Sequence, residues 1–227
     1  CADGSTRDRS WSIIGPYGSG KSIFSLLFLK LLCNTQSDWI DRSLGNLQLL
    51  APDFLEYINA QHIESDSGYI PIIVQGSNDS LDISLCSALL DSTFPNDGSP
   101  SWASDQFRES IEIAIETLQT GVSGSRLTID LYKKAIQLTK TQGYKGLVLA
   151  IDEFGKFLES AAWQGSVSEI ISSQYLAEMA SGSSDPDLLY FTIQHQGMGN
   201  YMRSLNEQQS NEWAKIQGRF RSVEFTQ

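Results

Sequence analysis

Apolar and polar positions along this chain follow two periods, and the switches between them mark its elements. Trp11-Ser-Ile-Ile14 is a short apolar run that stops at Gly15, the pattern of a strand entering a turn. Tyr69 to Gln75 reads as a second strand, with Pro71 near its start, where a missing N–H does least harm. Gly146-Leu-Val-Leu-Ala-Ile151 and Leu188-Leu-Tyr-Phe-Thr-Ile193 are continuous apolar runs of strand length. A strand without a polar face needs cover on both sides, as inside a parallel sheet. Ser222 to Thr226 reads as a last short strand.

Helical spacing fills the intervals. Ile23 to Leu32 is nearly all apolar, which predicts a helix buried on most sides. Leu81 to Leu90 reads as a helix. Phe107, Ile111, Ala114, Ile115 and Leu118 form one stripe of a further helix, with Glu109, Glu112 and Glu116 opposite. Leu131, Ala135 and Leu138 mark another, and Val167, Ile170, Ile171, Tyr175 and Met179 the next. Residues 204–217 are helical in character. Leu44–Leu50 and Phe54–Ile58 are short apolar pieces that read as helical, residues 1–9 are a polar lead-in, and 92–104 reads as a loop rich in Ser, Pro, Asp and Gly. Strands alternating with helices predict an α/β domain with a mainly parallel sheet.

Composition narrows the class. The 227 residues are 41% hydrophobic and 19% charged, enough for one globular domain with a real core. No apolar run is long enough to cross a membrane. The net charge of −11 argues against a surface devoted to nonspecific nucleic-acid binding, which needs clustered Lys and Arg. Acidic residues concentrate in 77–131, where Asp79, Asp82, Asp91, Asp97, Asp105, Glu109, Glu112, Glu116 and Asp130 face only Arg108 and Arg126. That excess reads as a solvated acidic face. The three cysteines, Cys1, Cys33 and Cys86, lack metal spacing and suggest reduced thiols and a cytoplasmic setting, with Cys33 and Cys86 as small core residues. A start at Cys1 without Met suggests a piece of a longer polypeptide.

The chemistry concentrates in Gly15-Pro16-Tyr17-Gly18-Ser19-Gly20-Lys21-Ser22, which fits the pattern G-x-x-x-x-G-K-S between a strand and a helix. Gly15, Gly18 and Gly20 let the backbone curl around an anion, and the N–H groups of the turn and of the following helix face phosphates. Lys21 is placed to reach the β- and γ-phosphates and the Ser22 hydroxyl to take one position on Mg²⁺. The strand Leu147–Ile151 delivers Asp152 and Glu153 to its carboxyl end, where ligands bind open parallel sheets. Asp152 would hold Mg²⁺, and Glu153 would polarise an attacking water. Gln194 and His195 stand at the end of the 188–193 strand; its resemblance to the γ-phosphate-sensing strand tip of P-loop ATPases makes Gln194, and after it His195, the candidates for that role, with a structural, hydrogen-bonded His195 the plainer alternative. Arg219 and Arg221 follow the 204–217 helix, a placement that resembles that of the arginine finger in AAA+-type ATPases, with a surface pair to Glu212 or Glu224 as the alternative.

This order of a Walker A-like turn, a strand, helices, a Walker B-like Asp-Glu, a further strand, and a helix with trailing arginines resembles the core of an ASCE-division P-loop ATPase, nearer to AAA+ proteins than to GTPases. Gly15–Ser22, Ile151–Glu159 and Glu212–Phe220 are similar to stretches of large bacterial anti-phage defence ATPases of the BREX type. The resemblance implies a three-layer α/β/α sandwich with a helical insertion at 77–140, between the two Walker-type motifs. It implies ATP and Mg²⁺ as ligands, hydrolysis by Glu153 with Lys21, Gln194 and Arg219 assisting, and Arg219 acting on a neighbouring subunit. It also implies a module of a larger, self-associating or multidomain ATPase that couples turnover to conformational change. A helical lid would lie beyond Gln227, and any nucleic-acid contact would lie in other domains. A nucleotide-gated scaffold with little hydrolysis and a DNA-acting motor are the competing readings.

Overall fold

A computed structural model describes residues 9–33, 68–77, 79–94, 101–121, 124–164, 170–182, 187–201 and 207–225, with the isolated positions 46, 53 and 56. The expected pieces Leu44–Leu50 and Phe54–Ile58, the start of the chain, and Val167 lie outside them, apart from those isolated positions and Arg9. Among the described residues five strands form one sheet: β1 (Ser10–Ile14), β2 (Ile70–Gln75), β3 (Leu147–Asp152), β4 (Leu188–Gln194) and β5 (Arg221–Glu224). Every pairing is parallel, in the order β2-β3-β4-β1-β5. Pro71 falls second in β2, an edge strand with room for a residue that cannot donate to the ladder. The central strands β3 and β4 are buried along almost their whole length, as their unbroken apolar runs require.

The described helices are α1 (Lys21–Leu32), α2 (Leu81–Asp91), α3 (Asp105–Gln119), α4 (Ser125–Thr141), α5 (Gly155–Gln164), α6 (Ile171–Gly182), α7 (Met198–Tyr201) and α8 (Glu207–Gln217). Side chains alternate along a strand, so β3 and β4 sort their residues to two faces. Leu147, Leu149, Ile151, Leu188 and Tyr190 enter a core shared with α2–α8. Val148, Ala150, Leu189, Phe191 and Ile193 enter a second, smaller core with Ile13 and with Phe28 and Leu29 of α1. Helices thus flank both faces of the sheet, an arrangement compatible with a three-layer α/β/α fold. Helices α2–α4, over 81–141, share the larger core with β2 and β3.

The larger core follows its sequence stripe. Phe107, Ile111, Ala114 and Leu118 of α3 are all buried, and the Ser104 hydroxyl caps that helix by accepting from the Phe107 N–H at 3.2 Å. Several polar groups caught in this layer are paired: Tyr132 donates to the Leu85 carbonyl at 3.1 Å, Ser173 and Tyr190 share a hydroxyl contact at 2.7 Å, and Ser172 donates to Asp82 at 2.5 Å.

Two expectations are corrected here. Helix α1 is not buried on most sides: only Lys21, Ser25 and Leu29 are fully buried, Phe28 and Leu32 are partly buried against the smaller core, and Ile23, Phe24 and Leu26 are exposed. Lying on one sheet face, α1 has a single contact stripe, and a run apolar all round cannot hide more than that. The acidic stretch is not wholly a surface either, because Asp82 is buried between helices, with burial raising its carboxyl above the usual aspartate range. Cys86 is buried as expected and Cys33 half-buried. No described helix is long and apolar enough to cross a membrane.

Candidate functional site

Parallel strands in register end at one edge, and that edge collects the candidate residues. Gln75 stands opposite Asp152, and Ile14 opposite Gln194. The turn Gly15–Gly20 leaves β1 and enters α1 between them. A cleft of about 420 Å³ opens there, lined by Tyr17–Ile23 of the turn and α1, Gln75 of β2, Asp152 and Glu153 of β3, and Ile193–His195 of β4.

The turn has the backbone its glycines allow. Gly18 and Gly20 take left-handed conformations, φ 77° and 85°, which strain any residue with a Cβ. Gly20 is the N-cap of α1 and no side chain caps that end, so the first N–H groups of the helix stay available on the cleft wall. Lys21 is only 5% exposed. Its ammonium donates to the carbonyls of Gly15 (2.6 Å) and Pro16 (2.7 Å) and contacts Ser19 Oγ at 3.4 Å. Among the described residues it has no carboxylate partner, so a mostly buried positive charge is matched by carbonyl dipoles alone. Ser22 is exposed on the first turn of α1.

Asp152 and Glu153 diverge at the end of β3. Asp152 Oδ1 accepts from the Glu153 N–H at 2.8 Å, which fixes the bend between them. Glu153 has φ 53°, the left-handed region, and is the single non-glycine residue found there among those described. Its carboxylate is bracketed: Oε2 accepts from Gln75 Nε2 at 2.8 Å and from the Lys156 ammonium at 2.6 Å. The Lys156 bond chiefly holds the Glu153 carboxyl below its usual range, and the same bond raises the lysine. Beneath them the Gly76 N–H donates to the Asp152 carbonyl at 2.8 Å. A Cβ on Gly76 would lie 2.3 Å from the Glu153 carbonyl oxygen, so β2 and β3 approach this closely only because that residue is glycine.

The tip of β4 treats its two polar residues differently. Gln194 is 1% exposed and donates through Nε2 to Ser12 Oγ at 2.6 Å, while its Oε1 has no partner. His195 is not the hydrogen-bonded structural histidine considered above: neither ring nitrogen has a partner. The Tyr17 ring of the glycine-rich turn covers it, with centroids 3.5 Å apart and planes 29° from parallel. Tyr17 itself is 74% exposed, so it roofs the imidazole from the solvent side.

The arginines stand elsewhere. Arg219 does not line the cleft; it pairs with Glu178 of α6 at 2.9 Å, a partner different from the Glu212 and Glu224 anticipated, and Glu212 is taken by Lys215. Arg221 lies exposed on edge strand β5. Sequence reasoning missed Gln75, Gly76 and Lys156. Gln75 ends and Gly76 follows a strand that carries no motif, so only strand order brings them to Glu153, whereas Lys156 sits three residues past Glu153 and reaches it locally.

No group of three or more His, Cys, Asp or Glu side chains among the described residues stands close enough to hold a metal by itself. A hard cation that keeps its waters needs only one or two carboxylates, and Asp152 with Ser22 on facing walls of the cleft suits that donor set. Fold and site together define an α/β protein with a glycine-rich turn set against an acidic strand end. No family model matches the chain, and no curated protein matches it.

Proposed function

We propose that the chain is a P-loop ATPase module that binds Mg-ATP in the cleft at the carboxyl edge of the sheet and hydrolyses the β–γ phosphoanhydride. The observation that carries this reading is convergence. The glycine-rich turn, the Asp152-Glu153 pair and the tip of β4 surround one cleft although the sequence separates them widely. Strand order supports it too, since β4 lies between β1 and β3 and sets its tip between the two motifs.

The residues fit a triphosphate. Uncapped N–H groups at α1 and the Lys21 ammonium supply positive potential where phosphates would lie. Lys21 holds two carbonyl oxygens, and the charged oxygens of a phosphate are stronger acceptors for it. Ser22 and Asp152 would hold Mg²⁺, which would supply charge neutralisation on the phosphate oxygens. Glu153 Oε1 has no donor among the described residues, while Oε2 has two, so Oε1 is the atom placed to take a proton from an attacking water. His195, roofed by Tyr17, is better placed than Gln194 to donate to a terminal phosphate, because Gln194 Nε2 already serves Ser12. A finger role for Arg219 would require it to leave Glu178. A larger parent of the anti-phage defence type, acting in the cytoplasm through self-association or further domains, belongs to the same proposal.

The test is turnover by wild type against Glu153→Gln, with nucleotide binding followed in parallel. A drop of roughly 10²–10⁴-fold in turnover with binding retained is the expected result for loss of a general base. Unchanged turnover would remove Glu153 from the mechanism. Nucleotide binding that survives Lys21→Ala undiminished would remove the cleft from it.

A further inference from the structure

We infer that Lys156 is the residue that tells a triphosphate from a diphosphate, a cation shared between Glu153 and the terminal phosphate of a nucleotide in the cleft. This rests on the reading of the cleft as a nucleoside-triphosphate site.

Lys156 occupies an odd position. It is the second residue of α5, where the helix dipole disfavours a cation. Its side chain is 46% exposed, so packing does not account for it. Its ammonium instead turns back to Glu153 Oε2 at 2.6 Å, an oxygen that already accepts from Gln75 at 2.8 Å. Glu153 therefore keeps one donor on that oxygen if the lysine leaves. Asp152 adds to the electrostatic pull on the ammonium, and Glu153, the acceptor that holds it, lines the cleft.

The balance of acceptors sets the behaviour. An ion pair this open to solvent is weakly held, because water competes with both partners. A lysine is a point charge on a flexible stem and reorients at little cost. A γ-phosphate brings more charge than one carboxylate, so it draws the ammonium away from Glu153. A diphosphate ends one group short, and Lys156 stays where it is. Arg219 is committed to Glu178, and Lys21, at the glycine-rich turn, also reaches the β-phosphate that both nucleotides carry. Transfer of Lys156 also leaves Glu153 less encumbered only when a hydrolysable nucleotide is present.

The test is calorimetric binding of a non-hydrolysable ATP analogue and of ADP, each with Mg²⁺, to the full chain. Lys156→Met is expected to weaken the analogue roughly tenfold, the size of one lost charge-assisted bond, while ADP changes by less than about twofold. Lys156→Arg should recover most of that loss. Glu153→Gln should tighten the analogue in the wild-type background and do nothing in Lys156→Met, because the two residues compete through one contact. Equal weakening for both nucleotides, no weakening, or a Glu153→Gln effect that persists without the lysine would overturn the assignment. ADP affinity serves as the fold control for each variant. A wild-type chain that binds neither nucleotide overturns the nucleotide reading and this inference with it; normal binding of both by Lys156→Met overturns the inference alone.

Discussion

On one face of the sheet Phe107, Ile111, Tyr132, Phe154 and Trp213 are sealed from solvent among the described helices α2–α8. On the other, α1 sends Lys21, Ser25 and Leu29 inward and leaves Ile23, at 68% exposed, in the open with Phe24 and Leu26. Two of its three fully buried residues are polar, and Phe28 and Leu32 are only partly buried against the smaller core. The helical layer therefore carries the cohesion of the fold. The α1 side carries the glycine-rich turn, held by backbone geometry and the Lys21 bonds more than by packing. A site at the junction gets one rigid wall, β2–β3–β4, and one wall whose helix end is bound lightly enough to adjust around a ligand.

The largest effect that would sharpen this contrast comes from the sealed face. Phe107→Ala should lower unfolding free energy by about 3–5 kcal/mol in denaturant titration, with nucleotide affinity of the folded protein unchanged. A cost below about 1 kcal/mol would mean that the two faces are not so different. Next comes the junction. Gly76→Ala forces a methyl against the Glu153 carbonyl, and about 1–3 kcal/mol of strain is expected. Because that strain falls on the residue assigned to water activation, turnover should fall by a larger factor than ADP affinity; a matched fall in both would detach Gly76 from Glu153.

A smaller effect distinguishes buried charge from surface charge. Burial raises the Asp82 carboxyl, so the native state binds its proton more tightly than the unfolded chain. That contribution is lost as pH rises through the ordinary aspartate value near 4 and beyond. Asp82→Asn should therefore gain on wild type in melting temperature between pH 4 and pH 8, by less than either loss above. A flat difference across that range would mean the carboxyl is not desolvated. The smallest effect belongs to the open face. Ile23→Ser should change stability by no more than about 0.5 kcal/mol, since that residue is 68% exposed. A cost of 2 kcal/mol or more, well above what such a surface substitution carries, would break the comparison.

Much of the fold was legible in local pattern. The apolar runs ending at Ile14, Ile151 and Ile193 became β1, β3 and β4 with ends shifted by a residue or so, and the stripe Phe107–Leu118 became the buried side of α3. The site was legible where its residues are contiguous, as in Gly15–Ser22 and Asp152-Glu153. It was illegible where a contact joins distant segments or a side chain must choose between acceptors. Gln75 against Glu153, Tyr17 over His195 and Arg219 on Glu178 are all of that kind.

The exposure of α1 marks the same divide from the other direction. Composition said that Ile23–Leu32 belongs inside, yet burial depends on how many elements surround a helix, and no residue of that helix carries this information. The sequence by itself determined the local conformations: a left-handed turn where glycine permits it, strands where no polar face exists, and an acidic pair at a strand end. The tertiary structure alone decided the order β2-β3-β4-β1-β5, and with it which strand tips meet. The reason is range. Dihedral preferences and hydrophobic period act over a few residues, whereas strand order is set by which faces can be covered at once. The pairing of Glu153 with Gln75 follows from that choice.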